Sequence, residues 1–165
     1  MKHILRIQLE HKQDVIRDVE IPSDKTLKDL HDTIIETLKL NKNEMASFYI
    51  TNDELELLQE IPLFKIDDKD NLMFEMNKMT ISAAFPNMES QLIYVFDFLK
   101  MWRFLISYIK EIENKSRTII TTKKIGEMPK EAPEINFKSD ENMNSFNDIE
   151  EEFNENFEEF NESEY

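Results

Sequence analysis

The chain has 165 residues, the length of one ordinary domain or of a smaller domain with an appendage. Its net charge of −15 is uneven: residues 1–125 hold 18 Lys/Arg against 21 Asp/Glu (−3), and residues 126–165 hold 2 against 14 (−12). With no cysteine there is no disulfide, no Cys-ligated zinc and no thiol nucleophile. A near-neutral body with an anionic extension is a poor partner for nucleic acid or an anionic membrane, whose binding draws on Lys and Arg.

His3–Glu10 alternates, with Leu5, Ile7 and Leu9 on one face, and reads as a half-buried strand. After a polar turn at His11–Asp14, Val15–Ile21 reads as its antiparallel partner, ending at Pro22-Ser23-Asp24. Thr26 is then an N-cap with Asp29 as its capping-box partner. Leu27, Leu30, Ile34 and Leu38 form one apolar stripe on a helix predicted to about Leu40. Ser47–Thr51 reads as a third strand. Glu54–Ile66 suits either a short bent strand or irregular packing, and Leu72–Met76 reads as a further short strand. Thr80–Phe85 forms one helical turn. Leu92–Phe98 and Trp102–Ile112 are dense in β-branched and aromatic residues, and Leu99–Met101 connects them as a hairpin. Thr118–Thr122 offers one edge strand. The fold class is therefore α+β: a ββα opening, a mixed or antiparallel sheet and a long aromatic hairpin, roll-like, with a β-grasp-like arrangement as the alternative.

The domain is placed at 1–125, a Pro-containing linker at 126–140, and an acidic tail at 141–165. In the tail Phe146, Ile149, Phe153, Phe157 and Phe160 fall on one helical face, with Glu and Asn around the rest. Like charge opposes an isolated helix, so the tail is either disordered or helical on docking. The groove that receives the stripe belongs to its own body, a second copy or another protein.

Acid–base candidates are few. Asp97 lies within the most apolar strand, and a carboxylate buried there would be costly unless paired. Alternation places it toward solvent, with Arg103 across the hairpin as an ion-pair partner. His31 flanks the helix stripe and is expected to bond a backbone carbonyl, while His3 and His11 are expected to be exposed. None of the three has metal-binding spacing. Asp67–Asn71 resembles part of a calcium loop but lacks its glycine and final Glu, and reads as a solvated turn. The aromatic residues Tyr94, Phe96, Phe98, Trp102, Phe104 and Tyr108 read as core. No phosphate-cradling glycine loop, cofactor site or metal site is implied, and no pattern establishes an enzymatic activity.

Ile16-Arg17-Asp18-Val19-Glu20-Ile21-Pro22-Ser23-Asp24-Lys25-Thr26-Leu27-Lys28-Asp29-Leu30-His31 resembles the opening signature of the plasmid pRiA ORF-three-like family. Phe48-Tyr49-Ile50, Leu92–Phe98 followed by Trp102, and Thr122-Lys123-Lys124-Ile125-Gly126-Glu127 are similar to its later blocks, so the resemblance covers about residues 3–127. It implies a compact α+β roll found near plasmids and insertion elements, without a settled biochemical function. The chain departs from the pattern after Asp97-Phe98, where Leu99-Lys100-Met101 replaces a Gly-Asp element.

The leading expectation is a cytoplasmic, non-catalytic interaction module whose tail docks in cis or on a protein partner. One alternative is a mobile-element accessory factor that meets nucleic acid through the basic run Arg103–Lys124 (Arg103, Lys110, Lys115, Arg117, Lys123, Lys124). Another is an unrecognised enzyme using Asp97 and His31. No apolar run approaches the roughly 20 residues of a membrane span.

Overall fold

A computed structural model of the protein describes residues 1–65 and 74–132. The tail, with Phe146, Ile149, Phe153, Phe157 and Phe160, lies outside the described residues, as does Asp67–Asn71. Among the described residues, β1 (Lys2–Leu9), β2 (Ile16–Pro22), β3 (Ala46–Thr51), β4 (Leu57–Pro62), β5 (Gln91–Phe96), β6 (Trp102–Ile112) and β7 (Ile120–Ile125) form one sheet. Its order is β4-β3-β5-β6-β1-β2-β7, and every neighbouring pair is antiparallel. Two helices accompany it, α1 (Leu27–Leu38) and the single turn α2 (Ile81–Ala84).

The register follows from the alternation. Leu5 stands opposite Val19 on β2, and Leu9 opposite Phe104 on β6. Phe48, Tyr94 and Phe104 are cross-strand partners on β3, β5 and β6, with successive ring centroids 4.8 and 5.9 Å apart. They sit on the sheet face that α1 covers with Leu27, Leu30, Ile34 and Leu38. This face is the core, and its burial supplies most of the folding drive. β5 is buried on both faces, since Ile93 and Val95 are also enclosed. Over that second face the Leu55 carbonyl accepts from Arg103 Nη2 at 3.3 Å.

Local chemistry sets the helix limits. The Thr26 side chain accepts from the Asp29 amide while the Asp29 carboxylate accepts from the Thr26 amide, closing the capping box. The Met79 and Met76 carbonyls accept from the Leu27 and Lys28 amides, each at 2.9 Å, so first-turn donors that no helix can satisfy internally are paired. Lys39, at φ 53°, ends the helix in the left-handed region, before Leu40.

Two expectations change. Phe74–Met76 is not strand: Met76 begins a turn whose amide donates to the Pro62 carbonyl, and Leu72 and Met73 lie outside the described residues. The ambiguous Glu54–Ile66 contains β4, with Ile61 buried against Phe48 in register. Beyond β7, Gly126–Ala132 forms no regular element, although Met128 and Ala132 are partly buried against the core.

Candidate functional site

His31 is carried into the core by α1, one position beyond Leu30 in the buried stripe, and is 3% exposed. Its partner is the Tyr94 hydroxyl, 2.8 Å from Nδ1, rather than the backbone carbonyl expected. Burial lowers the His31 pKa to about 4, with Asp32 opposing the shift. Burial likewise pushes the Tyr94 hydroxyl upward. Both groups are neutral near pH 7 and satisfy each other, as a buried polar pair must.

Asp97 is also buried, which corrects its expected solvent-facing position. Alternation fails because the chain leaves the extended conformation there, at φ 57°. The carboxylate turns back onto its own loop and accepts from the Leu99 and Lys100 amides at 3.1 and 3.2 Å. Its own amide donates to the Met45 carbonyl at 2.8 Å. Arg103 is not its partner: that guanidinium pairs with Glu10 at 2.9 Å. His31 and Asp97 are thus committed separately, one to a phenol and one to a tight turn.

His3 is buried rather than exposed. Its ring stacks on Tyr108 with centroids 4.2 Å apart, and Nε2 lies 3.4 Å from the Phe85 carbonyl. Burial lowers its pKa, partly opposed by that carbonyl. His11 is half-buried near Trp102, at the other end of β1. Among the described residues no group of three or more His, Asp or Glu is placed to hold a metal ion.

Four residues of the basic run, Arg103, Arg117, Lys123 and Lys124, do not share one patch. Arg103 is held by Glu10, and Arg117 by Asp24 at 2.6 Å. Lys123 and Lys124 stand opposite Asp18 and Arg17 respectively, and as strand neighbours they point to opposite faces. Lys124 lines a groove of about 680 Å³ between α1 and β7. There Lys25, Arg117 and Lys124 face Asp29, Asp32 and Glu36 over Ile119 and Ile120, giving a charge-balanced channel.

Arg17 closes the sheet where the chain leaves it. Buried on β2, it donates from Nη1 to the Ile16 and Ile125 carbonyls at 2.8 and 2.9 Å, and from Nη2 to the Gly126 carbonyl at 2.8 Å. Gly126 has φ 69°, and a Cβ there would stand 2.0 Å from the Asp14 carbonyl oxygen, so only glycine fits. The Arg17 and Gly126 positions of the family signature are therefore one structural device.

Sequence reasoning missed the apolar tip of the β5–β6 turn. Phe98, expected in the core, is 40% exposed, with Leu99 and Met101 exposed beside it. The signal was present in the apolar residues between two strands, where polar ones are usual.

A seven-stranded antiparallel sheet with one long helix on its face defines an α+β protein. The chain belongs to the plasmid pRiA4b ORF-3-like protein family, whose model matches residues 2–165. Its fold is similar to the crystal structure of a protein of unknown function from Methanosarcina mazei Go1, with TM-score 0.61 and 20% identity over 74% of this chain and 68% of that one. Among curated proteins none matches the chain. Among the described residues no helix is long and apolar enough to cross a membrane.

Proposed function

We propose that this chain is a non-catalytic protein-interaction module whose acidic tail, through Phe146, Ile149, Phe153, Phe157 and Phe160, docks on a protein surface in cis or on a partner. The carrying observation is how the acid–base candidates are used: His31 is spent on Tyr94 and Asp97 on two turn amides, leaving neither presented to a substrate. The charge step supports the same reading, with −12 of −15 in the forty residues that carry the Phe stripe. A nucleic-acid accessory role has less support, because Arg103 and Arg117 are held in ion pairs and Lys123 and Lys124 point to opposite sheet faces.

The test compares the full chain with its Phe153→Ser/Phe157→Ser variant by affinity capture from the native host and by limited proteolysis of the purified protein. Loss of a captured partner, or faster cleavage of the tail, is the expected outcome. Identical capture profiles and identical cleavage rates overturn the reading.

A further inference from the structure

Exposed apolar side chains gather at one end of the sheet. The strand registers bring the ends of β1, β4, β5 and β7 together there with the starts of β2, β3 and β6. Phe64 follows β4, Met45 precedes β3, and Phe98, Leu99 and Met101 belong to the turn between β5 and β6. All five are exposed, Phe64 by 60% and Leu99 by 91%. In the sheet order β4-β3-β5-β6 they fall within three strand spacings, about 14 Å. Backbone bonds hold the patch in place. The Asp97 carboxylate caps two amides, the Met101 amide donates to the Asp97 carbonyl at 2.6 Å, and the Asp97 amide donates to the Met45 carbonyl. The Leu63 amide donates to the Ala46 carbonyl at 3.3 Å, which keeps the end of β4 beside the start of β3. A surface ordered in advance loses little conformational freedom on contact.

We propose that this end of the sheet is the contact between the bodies of two copies of the chain, each Met1–Pro133, in a weak two-fold dimer. Charge favours a second copy as the occupant. A two-fold contact sets a patch against itself, so net charge there repels the partner and balanced charge does not. The loops at this end comprise residues 10–15, 39–45, 63–65, 97–103 and 126–127, and they hold six Lys/Arg against five Asp/Glu. Such a surface selects neither a polyanion nor a polycation. Its own copy brings both signs to the rim, as Lys12, Lys42 and Lys100 and as Asp14, Glu44 and Glu127.

Area sets the strength. With roughly 150–250 Å² on each large apolar side chain, the five exposed fractions amount to about 500 Å² per copy. Two copies bury about 1,000 Å² of apolar surface, and the polar loops around it bring the contact to the lower end of the range for specific pairs. A reversible dimer follows, with a Kd of about 10–100 µM. At low micromolar concentration the chain is then mainly monomeric. Only the body enters this contact, so its failure leaves the tail reading where it stands.

The experiment is sedimentation velocity of the full chain over about 1–500 µM, where the mass is expected to rise from one chain toward two. Leu99→Ser/Met101→Ser is expected to weaken the dimer at least about tenfold, the loss anticipated when one buried Leu contact is removed. Leu58→Ser, at an exposed position on the edge strand β4, is expected to leave it unchanged. A monomer at every concentration overturns the proposal. So does a dimer that Leu99→Ser/Met101→Ser leaves unchanged, a dimer that Leu58→Ser abolishes, or growth beyond two chains. The chain has no cysteine, so Leu99→Cys places a single thiol on each copy. A short bis-maleimide is expected to join two chains through it faster than through Met88→Cys, exposed ahead of β5 at the other end of the sheet. Equal rates overturn the assignment of the surface.

Discussion

Strand β5 joins two regions that treat polarity in opposite ways. At its centre Tyr94 and His31 bury two polar groups that satisfy each other under α1. Immediately beyond its end, Phe98, Leu99 and Met101 hold apolar groups in water on a turn built by a buried aspartate. The centre is organised to stabilise the sheet. The turn is held by hydrogen bonds to Asp97 while its apolar side chains stay outside the core.

Mutations separate the two regions by size of effect. Phe104→Ala, which removes a ring packed against Tyr94, is expected to lower unfolding free energy by about 3–5 kcal/mol in chemical denaturation. A loss below about 1 kcal/mol would break the claim that the aromatic row is the core.

Acid tests the centre through His31. The folded chain keeps this imidazole neutral down to about pH 4, whereas in the unfolded chain it protonates near 6.5. The unfolded state therefore binds the proton first, and stability falls as pH drops from 6.5 toward about 4, by on the order of 3 kcal/mol. His31→Gln should remove most of this slope, leaving a smaller part from His3, whose pKa is lowered in the same sense. An unchanged slope in that variant would mean that the imidazole is already charged in the folded protein.

Asp97 tests the turn. Asp97→Ala leaves two amides without their acceptor and places alanine at a left-handed φ, so a loss of about 1–3 kcal/mol is expected. Asp97→Asn keeps an acceptor oxygen and should recover most of it; equal losses would mean that the charge, not the capping geometry, matters. The smallest effect belongs to Leu99→Ser, expected within about 0.5 kcal/mol of the unmodified protein by thermal and denaturant unfolding. A larger loss would mean that the exposed tip of the β5–β6 turn makes a structural contact.

Much of the core was legible before the structure. The stripe Leu27, Leu30, Ile34 and Leu38 and the capping pair Thr26 and Asp29 are local patterns, set by the period of a helix and the reach of a side chain three residues away. The alternation of β1 named its buried face for the same reason. What was not legible depends on pairings remote in sequence. His31 finds Tyr94 sixty-three residues away, and His3 stacks on Tyr108 across the sheet. Asp97 was misread for a different reason. Period-2 logic assumes that the strand continues, and the chain turned one residue before the apolar run ended. The tip that resulted, Phe98 with Leu99 and Met101, was therefore taken partly for core and partly for a plain connection.

The clamp at Arg17 has a mechanical consequence. One guanidinium ties the last residue of β7 and the first beyond it to β2, at the point where the chain leaves the sheet. A pull on whatever follows residue 127 reaches these two bonds before any other rung of the β2–β7 ladder. With the load applied across the strands rather than along them, the ladder then opens rung by rung from Ile125. In an optical trap pulling through position 127, Arg17→Met should erase the first rupture event and leave the later ones. An unchanged first rupture would mean that the load bypasses the clamp.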